Sequence, residues 1–368
     1  MVTDSKAEHS AQNVGTADGT SLVPVVRALS TRPTIRLGAL DALRGIAALN
    51  VVFLHFTTDF HRDFGPARIS SFEWSYGNYG VHLFFLISGF VIFMTAERAT
   101  RPYDFFVSRF SRLYPPYWAA IALTTIIRIS MPIPGGPAAA HLLRRSLVDL
   151  TMFQSWVGIG SVDSVYWTLQ VEMSFYLIML ILIWRKAVES AITVMTGLVV
   201  LALCDHLLIA RPLSAPYVLF RQLMILEHAY LFTAGMVLYK IRREFKLRYA
   251  LILVLCALCP ATATYWPNNP PTDTGIGIAL ALVVYLATSG RADWLACRPL
   301  VYLGGISYSL YLTHHWLGLV FLNRADAIGM NANLALFLAV ALCLLVASVL
   351  TYMVERPSLV WFRRVLAK

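Results

Sequence analysis

The sequence predicts an all-α integral membrane protein, a bundle of about ten transmembrane helices with both termini in the cytoplasm. Three observations predict it. Of 368 residues, 58% are hydrophobic and 14% are charged, against about 25% charge in a soluble domain. The apolar residues lie in blocks that approach the roughly 20 residues a bilayer-spanning helix needs. Lysine and arginine gather in alternate loops, as the positive-inside rule requires of a multi-pass chain.

Taken in order, residues 1–37 are polar and rich in Ser, Thr, Ala and Gly, without the apolar core of a signal peptide. They predict a disordered cytoplasmic tail. Spans follow at 40–59, 78–96, 112–130, 166–184, 191–209, 222–240, 249–265, 274–289, 302–322 and 333–353. With the N-terminus inside, the tail and inner loops hold twenty-one Lys and Arg, and the opposite loops hold seven. Arg44 and Arg128 lie within spans. Residues 147–160 are moderately apolar but include Asp149 and Gln154. They are too short to cross and read as a re-entrant or interfacial piece. The membrane domain covers 38–357, and 358–368 is a short basic cytoplasmic tail.

The formal charge of +10 is distributed as topology signals. The expected partner is the lipid bilayer and not a nucleic acid. Cys256 and Cys259 form a C-x-x-C inside a hydrophobic helix; without a βαβ context they read as small buried hydrophobes. No metal-ligand spacing, P-loop or G-x-G-x-x-G is present, so no metal is expected.

The residues that carry chemistry begin in the first span. Arg44 and His55 are eleven apart, which is three helical turns plus about 20°, so they share a face roughly 16 Å apart along the axis. Ionisable groups inside a span default to functional candidates. Arg109 and Arg112, three apart, share a face where the third span begins. With Arg44 they predict a cytoplasmic arginine cluster, and guanidinium forks suit phosphates. The fourth span opens Tyr166-Trp167-Thr168-Leu169-Gln170-Val171-Glu172. Glu172 is expected at the depth of His55, as the carboxylate that orients a general base; its other reading is a structural partner for a buried cation. Trp167 reads as an interfacial anchor or as a substrate contact. The ninth span carries Tyr308, His314 and His315. Adjacent histidines point to different faces, so at most one is expected inside the bundle. Glu355-Arg356 reads as a helix end at the interface. The outer loop 131–165 is the candidate for acceptor contact.

Leu40-Asp41-Ala42-Leu43-Arg44-Gly45 with His55 resembles the R-x10-H motif of the membrane acyltransferase 3 family. Gly80 to Phe90, Arg109 to Pro115, Trp167 to Tyr176 (W-T-L-x-V-E-x-x-F-Y) and Gly305 to His314 resemble its successive blocks, so the resemblance runs from about 38 to 357. It implies a multi-pass enzyme of the bacterial cytoplasmic (inner) membrane. Such an enzyme moves an acyl group, usually acetyl from cytoplasmic acetyl-CoA or another acyl-CoA, onto a hydroxyl. Acceptors in the family are mostly sugars of exopolysaccharide, O-antigen, peptidoglycan or nodulation factors; some members acylate macrolides or other small metabolites. By that resemblance Arg44 and His55 are essential, and Arg109, Arg112 and Glu172 belong to the site. The family usually places an acid after Gly-Val in the second span, and here that position is His82.

The expected mechanism follows. Arg44, Arg109 and Arg112 bind the phosphates of acyl-CoA. His55 takes the proton of the acceptor hydroxyl, with Glu172 orienting it. Trp167, Tyr308 and His314 contact the substrate. An acyl-histidine relay is the alternative chemistry. The expected acceptor is a glycan or lipid-linked saccharide, with a partner enzyme of the same glycan pathway if the acyl group is handed on. A rival reading is a carrier or flippase that uses the same buried Arg, His and Glu. It would leave acyl-CoA intact.

Overall fold

The computed structural model describes residues 38–64, 72–132, 136–208, 214–262 and 272–366, and among them all regular structure is helical. The expected tail 1–37 lies outside the described residues. Helix α1 (Gly38–Leu54) continues through a π-helical turn, His55–Asp59, into Phe60–Phe64. Then come α2 (Asn78–Ala96) and α3 (Pro102–Ser130). Pro102 opens α3, where its missing N–H costs nothing. An amphipathic α4 (Ala139–Asp149) and a 3-10 turn (Gln154–Val157) occupy the stretch expected to be re-entrant or interfacial. Leu142 and Asp149 are the buried residues of α4.

The middle of the chain forms α5 (Trp167–Trp184), α6 (Ala191–Leu208), α7 (Ala215–Leu223), α8 (Ala229–Arg243), α9 (Leu247–Thr262) and α10 (Thr272–Thr288). The chain closes with α11 (Arg298–Ala327), α12 (Ala332–Leu350), a second π-helical turn (Thr351–Glu355) and α13 (Arg356–Leu366). Asn331 caps α12 by accepting from the N–H groups of Asn333 and Leu334 at 3.0 and 3.2 Å.

Among the described residues, five helices suffice by length and composition to cross a membrane: Gly38–Arg62, Asn78–Ala96, Ser164–Trp184, Val188–Asp205 and Ala332–Phe362. Leu247–Cys259 and Thr274–Thr288 are shorter apolar helices. Two of the expected spans differ in an informative way. The one at 222–240 is broken, with α7 ending at Leu223 and α8 starting at Ala229. Between them Ile225 adopts φ 48°, which no helix accommodates. The one at 302–322 lies in α11, a helix of 30 residues. Its hydropathy is lowered by Ser307, Ser309, Thr313, His314 and His315, all buried. These polar groups face protein and not lipid, as polar groups in spans generally do.

Helices α1 and α11 form the spine of the bundle. A Cβ on Gly45 would lie 2.7 Å from the Gly304 nitrogen, and one on Gly304 would collide with the Asp41 carbonyl. The backbones therefore touch, which only glycine permits. Further along, Gly318 receives the ring of Phe56. Gly45 meets Gly304 and Phe56 meets Gly318, so the two helices run in the same direction. A second glycine contact joins α2 to α8, with Gly89 against Phe232 and Gly235 against Leu86.

Candidate active site

Two polar clusters sit on this spine. The first is a cavity whose lining includes Arg44 of α1, Ser88 of α2, Arg109 and Arg112 of α3, Glu172 of α5 and Tyr308 of α11. The expected arginine cluster therefore exists as one chamber, assembled from helices far apart in sequence. Glu172 accepts hydrogen bonds from the Ser88 hydroxyl at 2.7 Å and the Tyr176 hydroxyl at 2.6 Å. Tyr308 donates to the Leu113 carbonyl at 2.9 Å. Arg109 donates one terminal nitrogen to Ser108 Oγ at 3.2 Å, while its Nε is buried without a hydrogen-bond partner. A buried, unsatisfied guanidinium donor is costly, and an anionic oxygen such as that of a phosphate would satisfy it.

The second cluster is built of imidazoles. His55 Nδ1 lies 2.7 Å from Asp59 Oδ2, and Arg62 approaches the other Asp59 oxygen at 2.9 Å. His55 opens the π-helical turn and Asp59 closes it; such turns recur at functional sites. The His55 ring centroid is 4.6 Å from that of His315 and 5.3 Å from that of His314. His315 Nδ1 lies 2.7 Å from Asp163 Oδ1. His314 Nδ1 donates to the carbonyls of Leu310 and Tyr311 at 3.1 and 2.9 Å. Each Nδ1 thus lies against an acceptor oxygen, which favours the tautomer with its proton on Nδ1. That leaves each Nε2 as the basic nitrogen. The Nε2 of His314 is buried with no partner.

The clusters are adjacent. Tyr311 lines the arginine cavity and its hydroxyl pairs with Thr168 Oγ1 at 2.8 Å. Its ring lies 5.8 Å from that of His314. The histidines begin one aromatic ring beyond the cavity wall.

Several expectations need correction. Glu172 does not pair with His55: its carboxylate belongs to the arginine cavity, and the carboxylate on His55 is Asp59. The reason is local, because a residue four along the same helix is nearer than any on another span. His314 and His315 both reach His55, since α11 is buried on both faces at this level. Glu355 is not an interfacial helix end. It is buried in the second π-helical turn and accepts from Ser309 Oγ at 3.0 Å. Trp167 lies outside the arginine cavity. It is 41% exposed, with its ring 5.3 Å from His228, in a separate pocket with Gln170, Arg221 and Glu227. His82 makes an edge contact with Tyr79 at 5.4 Å between centroids.

Asp59, Asp163 and His315 are the site residues that sequence reasoning missed. Asp59 was detectable as the acid four residues after His55. Asp163 carried no signal, because its partner lies 152 residues away. Burial opposes ionisation of Asp163, yet His315, with His314 and the Val165 N–H, holds its carboxyl below the usual range. Of the outer loop 131–165, this residue is the one that reaches the histidines; residues 133–135 lie outside those described.

Residues 37–353 match the acyltransferase 3 family, described as an acyltransferase domain. The chain is 28% identical to "Exopolysaccharide production protein ExoZ" of Rhizobium meliloti (strain 1021), over 80% of this chain and 94% of that protein. It is 30% identical to "Nodulation protein 10" of Rhizobium leguminosarum bv. viciae, over 40% of this chain and 44% of that protein. It is 30% identical to "Acyltransferase MdmB" of Streptomyces mycarofaciens, over 39% of this chain and 38% of that protein. The matched stretches span less than half the length of these last two relatives. No solved structure matches the chain.

Proposed function

The chain belongs to the acyltransferase 3 family, and we propose that it is a membrane O-acyltransferase that moves an acyl group, acetyl in the first instance, from cytoplasmic acyl-CoA to a hydroxyl of a cell-envelope or exported glycan. Its place in this reading is the bacterial cytoplasmic membrane. The name of the exopolysaccharide relative supports a saccharide acceptor. One observation carries the proposal. A single helix, α1, presents Arg44 to a chamber of three arginines and, three turns further on, presents His55 with Asp59 on its Nδ1.

Acyl-CoA, when bound, supplies a thioester whose thiolate is a good leaving group. Arg44, Arg109 and Arg112 grip its phosphates, with the unsatisfied Nε of Arg109 as one of the donors. Glu172, fixed by Ser88 and Tyr176, limits the positive charge of the chamber. His55 Nε2 takes the proton of the acceptor hydroxyl as its oxygen attacks the thioester carbonyl. Asp59 holds the tautomer and stabilises the imidazolium. The surrounding apolar helices keep water from competing as acceptor.

The test is a thiol-release assay on the purified chain in detergent with acetyl-CoA, comparing wild type with His55→Ala. CoA release that requires His55 supports the enzyme, and trapping of acetyl esters then identifies the glycan. Intact acyl-CoA in the presence of longer donors and candidate acceptors rejects the enzyme in favour of a carrier.

A further inference from the structure

The mechanism above uses one imidazole and one carboxylate, but the cluster contains a second pair that it leaves idle. We propose that Asp163 and His315 form a second histidine–carboxylate dyad that shares the proton taken up by His55, so that the base of this protein is a carboxylate–imidazole–imidazole–carboxylate array. This inference rests on the reading of His55 as the base and extends it to residues from two other elements.

The geometry carries it. His55 and His315 lie 4.6 Å apart between ring centroids at an interplanar angle of 62°. Each ring has its Nδ1 2.7 Å from a carboxylate oxygen, Asp59 for one and Asp163 for the other. Each Nδ1 thus faces its own carboxylate, and Nε2 is left as the basic nitrogen of each ring. Two imidazolium rings at that separation repel each other, so the pair takes up one proton more readily than two. The two flanking carboxylates stabilise the charge of that one proton. The first proton therefore belongs to the pair and not to either ring.

The dyad is also braced in a way that a packing contact does not require. Asp163 Oδ1 accepts from the Val165 N–H at 3.3 Å as well as from His315. Arg128 donates to the carbonyl of Val162, the residue before Asp163. The same guanidinium sits 3.9 Å from the ring centroid of Trp316, the residue after His315. One arginine of α3 therefore clamps the neighbours of both partners. Among the described residues, the charged and titratable groups around His55 are Asp59 and Arg62 on its own helix, His314 and His315 on α11 and Asp163 ahead of α5, with Arg128 on α3 behind Asp163.

The protonic step balances. The acceptor O–H and the thioester C–S bonds break and the ester C–O bond forms. The thiolate leaves with the electron pair of the C–S bond. The proton released from the hydroxyl rests on the His55–His315 pair until the thiolate or solvent removes it. His315 touches neither donor nor acceptor in this scheme, acts on the proton only through His55, and is a positioning residue.

The experiment compares wild type, Asp163→Asn, His315→Gln and Asp163→Glu as full chains reconstituted in lipid nanodiscs. The first readout is the pH dependence of acetyl-CoA turnover. Asp163→Asn and His315→Gln should lower kcat about 10- to 100-fold and move its acidic limb down by about one pH unit. KM for acetyl-CoA should not change, and Asp163→Glu should recover part of the loss. A fall in kcat with an unmoved acidic limb would mean packing alone and overturn the proposal. The second readout needs no turnover: the imidazole nitrogen NMR titration of 15N-histidine-labelled protein, assigned with His55→Gln and His315→Gln. Coupled two-step titration of His55 and His315 in wild type, becoming a single step in His315→Gln, supports the shared proton. Independent titration in wild type overturns it. If wild type releases no CoA, the base reading fails by itself, and the NMR titration still decides the dyad.

Discussion

Asp59→Asn tests the site at its most specific contact. The substitution keeps the shape of the side chain and an acceptor oxygen for the His55 Nδ1–H, but it removes the negative charge 2.7 Å from the ring. At that distance the attraction between an imidazolium and a carboxylate is about 6 kcal/mol at an effective dielectric of about 20. Part of it is already spent in the ground state, because Arg62 holds the other Asp59 oxygen at 2.9 Å. A hydrogen bond to a charged partner retains about 1.5–3 kcal/mol net. Each 1.36 kcal/mol is a factor of ten in rate, so kcat should fall about 10- to 150-fold. KM for acetyl-CoA should stay within about twofold, since Asp59 is not part of the arginine cavity. The assay is thiol release at saturating acetyl-CoA, with size-exclusion profiles showing that the variant is intact. An intact variant with kcat within twofold of wild type would refute the role assigned to this pair.

Other outcomes follow from the same geometry. Arg109→Ala should raise KM for acetyl-CoA about tenfold, roughly the 1.5 kcal/mol of one charge-assisted hydrogen bond; donor titration of the turnover rate measures this, and an unchanged KM would remove Arg109 from the donor chamber. Gly304→Leu should lower the thermal unfolding midpoint by at least about 5 °C, because its side chain must displace the Asp41 backbone; a wild-type midpoint would mean that the spine is not packed as described. Burial pushes the Asp149 carboxyl up to about 7 from 3.8. The folded chain then binds that proton more tightly than the unfolded chain, so the associated stability is full below about pH 4 and is lost as pH rises through about 7. Asp149→Asn should flatten this decline in thermal midpoint between pH 5 and 8, and an unchanged slope would assign it to other groups.

The sequence made the helices legible where composition and position agree. The span expected at 78–96 is α2 to the residue, and that at 166–184 differs from α5 by one. The arginine chamber was legible as well, because Arg44 is a charge within a span and Arg109 and Arg112 share a face where the third span begins. What pairs with what was not legible. Glu172 and Asp59 are both acids near a predicted membrane depth, and only the fold decides that Ser88 and Tyr176 hold one while His55 holds the other. His315 was discounted on the premise that one face of α11 meets lipid. That premise fails for a helix enclosed on all sides at this level. Glu355 was misplaced for a related reason: a π-helical turn carries α12 past its expected end and turns the carboxylate inward to Ser309. Ile225 broke a helix that hydrophobicity alone would have continued.

The close backbone contact of Gly45 with Gly304 has a further consequence. It locks α1 to α11, so the interval between Arg44 and His55 behaves as a fixed gauge and not as a hinge. On the proposed reaction, a donor held at the arginines would meet the histidines at one depth, with Phe56 fixed beside them on Gly318. Deleting or inserting a residue between positions 44 and 55 would rotate the imidazole by about 100° out of the chamber's line, and no movement elsewhere in so tightly joined a pair could bring it back.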